Sequence, residues 1–119
     1  MNNVSLLGRP TTDIEIRTTT SGKSVASFTL AVKRQYSKDE TDWIPVVAWE
    51  KTAEFLGKYV RKGQMIAIAG SIQTRKYTDK NGNNRQAVEV VATNAYFAGD
   101  KVDNAAAGDS YAPSMDIGG

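Results

Sequence analysis

Between residues 24 and 33 the chain alternates. Phe28, Leu30 and Val32 fall on one side, with Ser27 and Thr29 between them, the period-two pattern of a half-buried strand. Other stretches predict strands too: residues 2–7, which run into a turn at Gly8-Arg9-Pro10; 14–18, which lead to a turn at Ser21-Gly22-Lys23; and 41–49, rich in aromatic and β-branched residues after a charged loop at Ser37-Lys38-Asp39-Glu40. Residues 65–77 form a long strand in which Gly70 marks a bend or bulge. An Asn-Gly hairpin tip follows at residues 78–84, and residues 85–91 and 94–97 complete the hairpin.

The period changes once. Ala53, Leu56 and Val60 lie at i, i+3 and i+7, and Phe55 and Tyr59 at i, i+4, so residues 51–60 predict a short amphipathic helix stopped near Lys62-Gly63, with Gly57 a weak point inside it. The fold class is all-β. Five main strands with one short helix between the third and fourth suggest a Greek-key barrel of the OB-fold type, although a sandwich with a connecting helix has nearly the same pattern. Phe28, Phe55 and Phe97 are assigned to the core and Tyr59 to helix packing.

After Gly99 the chain turns small, polar and weakly acidic. Residues 100–119 cannot bury enough apolar surface to offset ordering entropy, so they are expected to be a short acidic disordered tail behind one domain at residues 1–99. Charge divides at the same place: the first 99 residues carry +5 and the tail −3, although the whole chain is only +2. A basic body suits a polyanion partner.

Composition removes much chemistry. The 119 residues include no cysteine and no histidine, which excludes disulfides, thiol catalysis, His-based triads and the common zinc sites. Asp13, Glu15, Asp39, Glu40 and Asp42 form no paired acid/base or metal-ligand constellation, so no catalytic residue, metal or cofactor is expected. There is no run long enough to span a membrane and no signal peptide, so a cytoplasmic protein without membrane contact is expected.

The aromatics carry the remaining information. Trp43, Pro45, Val47 and Trp49 share one face of their strand, and Ile44, Val46 and Ala48 share the apolar other. Lys33-Arg34-Gln35-Tyr36 ends one strand and Arg75-Lys76-Tyr77 another, each with two cations before an aromatic. Single-stranded nucleic acid calls for this combination, because unpaired bases stack on aromatic rings while Lys and Arg meet the phosphates. Taken singly, strand aromatics are more often core and strand-end cations solvated surface. Stacking does not separate DNA from RNA, and an aromatic face that binds protein has the same composition.

Residue by residue, the chain resembles the bacterial and phage-type single-stranded DNA-binding proteins. The match runs through Asn2-Asn3-Val4, Gly8-Arg9, Gly22-Lys23-Ser24-Val25-Ala26-Ser27-Phe28-Thr29-Leu30-Ala31-Val32 and Trp43-Ile44-Pro45-Val46-Val47-Ala48-Trp49-Glu50-Lys51-Thr52-Ala53-Glu54. It continues through Tyr59-Val60-Arg61-Lys62-Gly63, Gly70-Ser71-Ile72-Gln73-Thr74-Arg75-Lys76-Tyr77 and Glu89-Val90-Val91-Ala92. The resemblance implies an OB-fold that assembles as a homotetramer and binds single-stranded DNA in replication, recombination and repair. It places base stacking on Tyr36, Trp43, Trp49 and Tyr77. It places phosphate contacts on Lys33, Arg34, Lys51, Arg61, Lys62, Arg75 and Lys76, with Arg85 a weaker candidate, and oligomer contacts on Asn2, Asn3, Val4, Ser5, Leu6 and Ile44. Two departures stand out. Pro45 lies on the implied DNA face and removes a ladder donor. The tail ends Asp116-Ile117-Gly118-Gly119, without the family's Pro-Phe tip. That tip docks recombination and replication proteins, so its absence counts against tail-mediated recruitment and points to a phage, plasmid or secondary member.

Overall fold

The computed structural model describes residues 1–99; the expected tail at 100–119 lies outside the described residues. The elements are β1 (Val4–Pro10), β2 (Ile16–Thr18), β3 (Ser24–Arg34), β4 (Ser37–Trp49), α1 (Glu50–Tyr59), β5 (Ile66–Thr78) and β6 (Asn84–Phe97). Hydrogen-bonded neighbours run β1, β5, β6, β4, β3, and β3 pairs back to β1. Apart from the three-residue β2, which pairs only with β3, five long strands therefore close a barrel. This is the OB-fold expected from the sequence, with the helix between its third and fourth long strands. The single parallel ladder, Val46↔Val90 to Ala48↔Ala92 between β4 and β6, needs a crossover, and α1 with β5 supplies it.

Two glycines make the closure possible. The turn expected at Gly8-Arg9-Pro10 is instead a continuation of β1: Val4 to Gly8 pair with β5, then Arg9 and Pro10 pair with β3. A Cβ on Gly8 would run into the Ala31 carbonyl oxygen, so the missing side chain lets β1 cross from one neighbour to the other. Gly70 sits at the bulge expected there, where the β5–β6 register shifts and a Cβ would collide with the Val91 carbonyl oxygen. Across from it, Thr93 is the unpaired residue. Its hydroxyl donates to the Ala69 carbonyl at 3.0 Å and its own carbonyl accepts from the Thr52 hydroxyl at 3.1 Å, which ties the bulge to α1. The two short strands read at 85–91 and 94–97 are therefore one strand, bent at that bulge.

The core contains Phe28, Leu30, Val46, Ala48, Ile66, Ile68 and Val90, closed at one end by Ala53, Leu56 and Val60 on the apolar stripe of the helix and its C-cap. Gly57 has a packing reason for its place, since a Cβ there would strike Ile16 of β2, on which the helix lies. Phe97 departs from its core assignment. It stands at the barrel's end, half exposed, edge-on to Phe55 at 5.5 Å, and Phe55 in turn meets Tyr59 at 5.6 Å. The loop expected at Ser37 to Glu40 belongs to β4, but irregularly: pairing jumps from Lys33↔Thr41 to Arg34↔Ser37.

Candidate nucleic-acid interface

Strand alternation and the ladder registers define one broad outer face on β3, β4, β6 and β5. Ala26, Phe28 and Leu30 of β3 and Val46 and Ala48 of β4 point into the core, so their neighbours point out. On β3 and β4 these outward residues are Val25, Ser27, Thr29, Ala31 and Lys33, opposite Trp49, Val47, Pro45, Trp43 and Thr41. Val90 and Ala92 set the parity of β6. Arg85, Ala87 and Glu89 then face outward opposite Tyr77, Arg75 and Gln73 of β5.

Three of the four expected stacking residues share this face. Trp43 is 64% exposed, Tyr77 44% and Trp49 42%, all unusual for large aromatics in strands. Trp49 also precedes α1, and Lys51 stands in that helix's first turn. Tyr36 lies in the tight turn between β3 and β4 and is 93% exposed. Pro45 is the last residue of β4 before its ladder with β6 begins at Val46, which places the missing donor where the strand gains its second neighbour.

Apart from Lys51, the expected cations divide into three groups. Lys33, Arg75 and Arg85 share the outer face with the aromatics. Arg34 does not. It reaches Asp42, the partner of core-facing Val32, by donating Nε to Oδ2 at 3.1 Å and Nη2 to Oδ1 at 3.1 Å, and its Nη1 donates to Glu40 at 2.6 Å. Asp42, by hydrogen bond and charge, and then Glu40 raise the guanidinium's pKa further. Lys76 alternates to the side opposite Arg75 and Tyr77. Arg61 and Lys62 sit in the loop after α1, where Arg61 Nη1 donates to the Lys58 carbonyl and the Lys62 amide donates to Asp13. That loop is held against β1 by the Gly63 amide, which donates to the Pro10 carbonyl at 3.0 Å.

Arg75 and Arg85 already have anionic partners. Arg75 Nε is 3.6 Å from Glu89 and its guanidinium lies 5.6 Å from the Tyr77 ring centroid. Arg85 Nε donates to Asp79 at 2.9 Å. Asp79 also accepts from the amides of Asn81 and Asn83 and organises the hairpin tip, where Gly82 adopts φ 83°. Arg85 first, then the Asn83 amide, hold the Asp79 carboxyl below its ordinary pKa. Among the described residues, Lys33, Lys51, Lys62 and Lys76 form no ion pair.

Sequence reasoning missed Arg17 and Glu89. Arg17 pairs with Val25, which pairs with Trp49, so it stands in the same outward row. The alternation of residues 14–18 contained that signal. Glu89 shares the parity of Arg85 and Ala87 on β6, although its side chain is only 18% exposed.

The residues expected at an oligomer interface lie along β1 and at one end of the barrel. Val4, Leu6 and Ile44 line an apolar hollow of about 310 Å³ with Ile72, Val88 and Val90, and Pro45 and Glu89 stand at its edge. Asn2 extends β1 with its side chain, donating to the Ile72 carbonyl at 2.8 Å and accepting from the Ile72 amide at 2.9 Å. Asn3 and Ser5 are exposed. Among the described residues, β1 from Val4 to Gly8 pairs with β5 on one edge only.

Among the described residues, no helix is long and apolar enough to cross a membrane, and no group of three or more acidic residues could hold a metal ion. The single-strand binding protein family model matches residues 1–98. The chain is 43% identical over 117 residues to single-stranded DNA-binding protein 3 of Clostridium acetobutylicum, which covers 93% of this chain and 81% of that one. It is 44% identical over 119 residues to single-stranded DNA-binding protein 1 of Streptococcus pyogenes, covering 97% and 91%. With the single-stranded DNA-binding protein of Clostridium tetani the identity is 48% over 101 residues, covering 82% and 70%.

Proposed function

The chain belongs to the single-strand binding protein family, and on that premise we propose that it binds single-stranded DNA without sequence preference. The family acts by binding and not by catalysis. The observation that carries the reading is the shared outward face of Trp43, Trp49 and Tyr77, with Lys33 and two arginines among them. Flat exposed rings accept any unpaired base, and cations along the same face accept the backbone. A duplex hides its π-faces, so this surface favours unpaired strands and by mass action holds them open. Coating of exposed strands in replication, recombination and repair follows from that preference, in the bacterial or phage-infected cytoplasm.

The assembly in this reading is a homotetramer. The free edge of β1 supports it, since a second copy's strand fits there. The apolar hollow at Val4, Leu6 and Ile44 and the exposed Leu7 and Tyr96 support it as well. In this reading residues 1–99 are the binding domain and residues 100–119 an acidic tail. Multi-angle light scattering should give four times the mass of the chain; a monomer would remove the tetramer and leave the binding face intact.

Competition against a labelled homothymidine oligomer tests the binding. Unlabelled single-stranded DNA should displace it and duplex of equal length should not. Equal displacement by duplex would defeat the reading, and preference for a matched RNA would move it to RNA.

A further inference from the structure

We propose that Glu89 acts as an internal stand-in for phosphate, competing with DNA for Arg75, and thereby sets how tightly and how salt-sensitively the chain binds. The inference rests on the single-stranded DNA reading above. Glu89 has the parity of the outward face and stands in the strand row next to Arg75. Its side chain is only 18% exposed, so the charge is held in place by its surroundings, and Arg75 Nε lies 3.6 Å away. Arg75 is 60% exposed and its guanidinium lies over the Tyr77 ring on which a base would stack, which puts it within reach of that base's phosphate.

A phosphate oxygen and a Glu89 oxygen offer the guanidinium the same chemistry. DNA reaching Tyr77 must draw Arg75 away from Glu89 or share it, and it also approaches a fixed negative charge. Either way one phosphate contact contributes less than an unpaired cation would. Among the described residues Lys33 has no carboxylate partner and meets no such competition. Arg85 and Asp79 repeat the arrangement at the hairpin tip, but Asp79 also holds the Asn81 and Asn83 amides, so its replacement would disturb the loop as well. Glu89 is the cleaner test.

The experiment is titration of the full chain with a homothymidine oligomer across a salt series, for the unchanged protein, Glu89→Gln, Arg75→Gln and the double variant. Glutamine keeps the shape and an acceptor oxygen, and thermal unfolding checks that the fold survives. Glu89→Gln should bind about two- to fivefold tighter at low salt, the range of one exposed ion pair. Its slope of log affinity against log salt should steepen by about 0.7, one additional phosphate contact. In the Arg75→Gln background the same change should gain less. Unchanged or weaker binding by Glu89→Gln would overturn the inference, as would a gain that persists undiminished without Arg75. If the unchanged protein binds and only the variant's gain is missing, the DNA-binding reading stands; if the unchanged protein does not bind at all, both fall.

Discussion

Ala31 lies directly across from Trp43 in the β3–β4 ladder, so the largest side chain of that stretch stands opposite one of the smallest. A methyl group cannot cover an indole, and the ring is left 64% exposed. Trp49 is likewise paired with a single aliphatic residue, Val25. Neither ring lies in the buried core, so each keeps an exposed surface open to a base.

Replacing Trp43 with alanine should therefore weaken binding of a homothymidine oligomer by about 1–3 kcal/mol, the usual value of one stacked base. Stability should change little, because the ring buries little. A calorimetric titration alongside thermal unfolding separates the two effects. A large loss of stability with unchanged affinity would make Trp43 a packing residue.

Lys33 and Arg34 are neighbours in sequence with opposite surroundings. Lys33 faces outward with the tryptophans, and Arg34 is held by Asp42 and Glu40 on the other side. Lys33→Gln should weaken binding to every sequence alike and make the salt slope shallower by about 0.7. Arg34→Gln should change the slope less. The reverse order, read from affinities at several salt concentrations, would contradict the assignment of faces.

Asp79 titrates below its ordinary value because Arg85 and the loop amides favour its charged form. A group whose folded pKa is depressed contributes stability above its unfolded pKa, about 3.9 for aspartate, and loses it as pH falls through the lower folded value. The hairpin tip should thus remain ordered at pH 5 and loosen only below about pH 4. Carbon-detected NMR titration of the Asp79 carboxyl should show a midpoint under the ordinary one. A midpoint at or above it would mean that the Arg85 contact does not persist in solution.

Gly70→Ala should destabilise the fold by about 1–3 kcal/mol, since the added methyl has only the Val91 backbone to meet and β6 cannot yield without losing its bulge. Urea unfolding measures it. A stability equal to that of the unchanged chain would show that the ladder shifts freely at this point.

The barrel was legible because its strands alternate strictly and its helix changes the period: Phe28, Leu30, Val46, Ala48, Leu56 and Val60 are all buried where the pattern set them. What the pattern did not carry has a common cause. Gly8-Arg9-Pro10 has the composition of a turn, but the Ala31 backbone, distant in sequence, turns it into a crossing point. Phe97 has core chemistry, yet the barrel ends beside it. Arg34 and Arg85 look like free cations until Asp42 and Asp79 are folded against them. Local pattern assigns a face to each residue; partners across strands decide which charges remain available, and those pairings are not periodic.

The central claim is that the exposed tryptophans stack on bases. The chain has two tryptophans, Trp43 and Trp49, both on the proposed face, so their fluorescence reports on nothing else. Titration with a homothymidine oligomer at low and at high salt should quench that fluorescence strongly, with affinity falling as salt rises. Tight binding without quenching, or no binding at either salt, would contradict it.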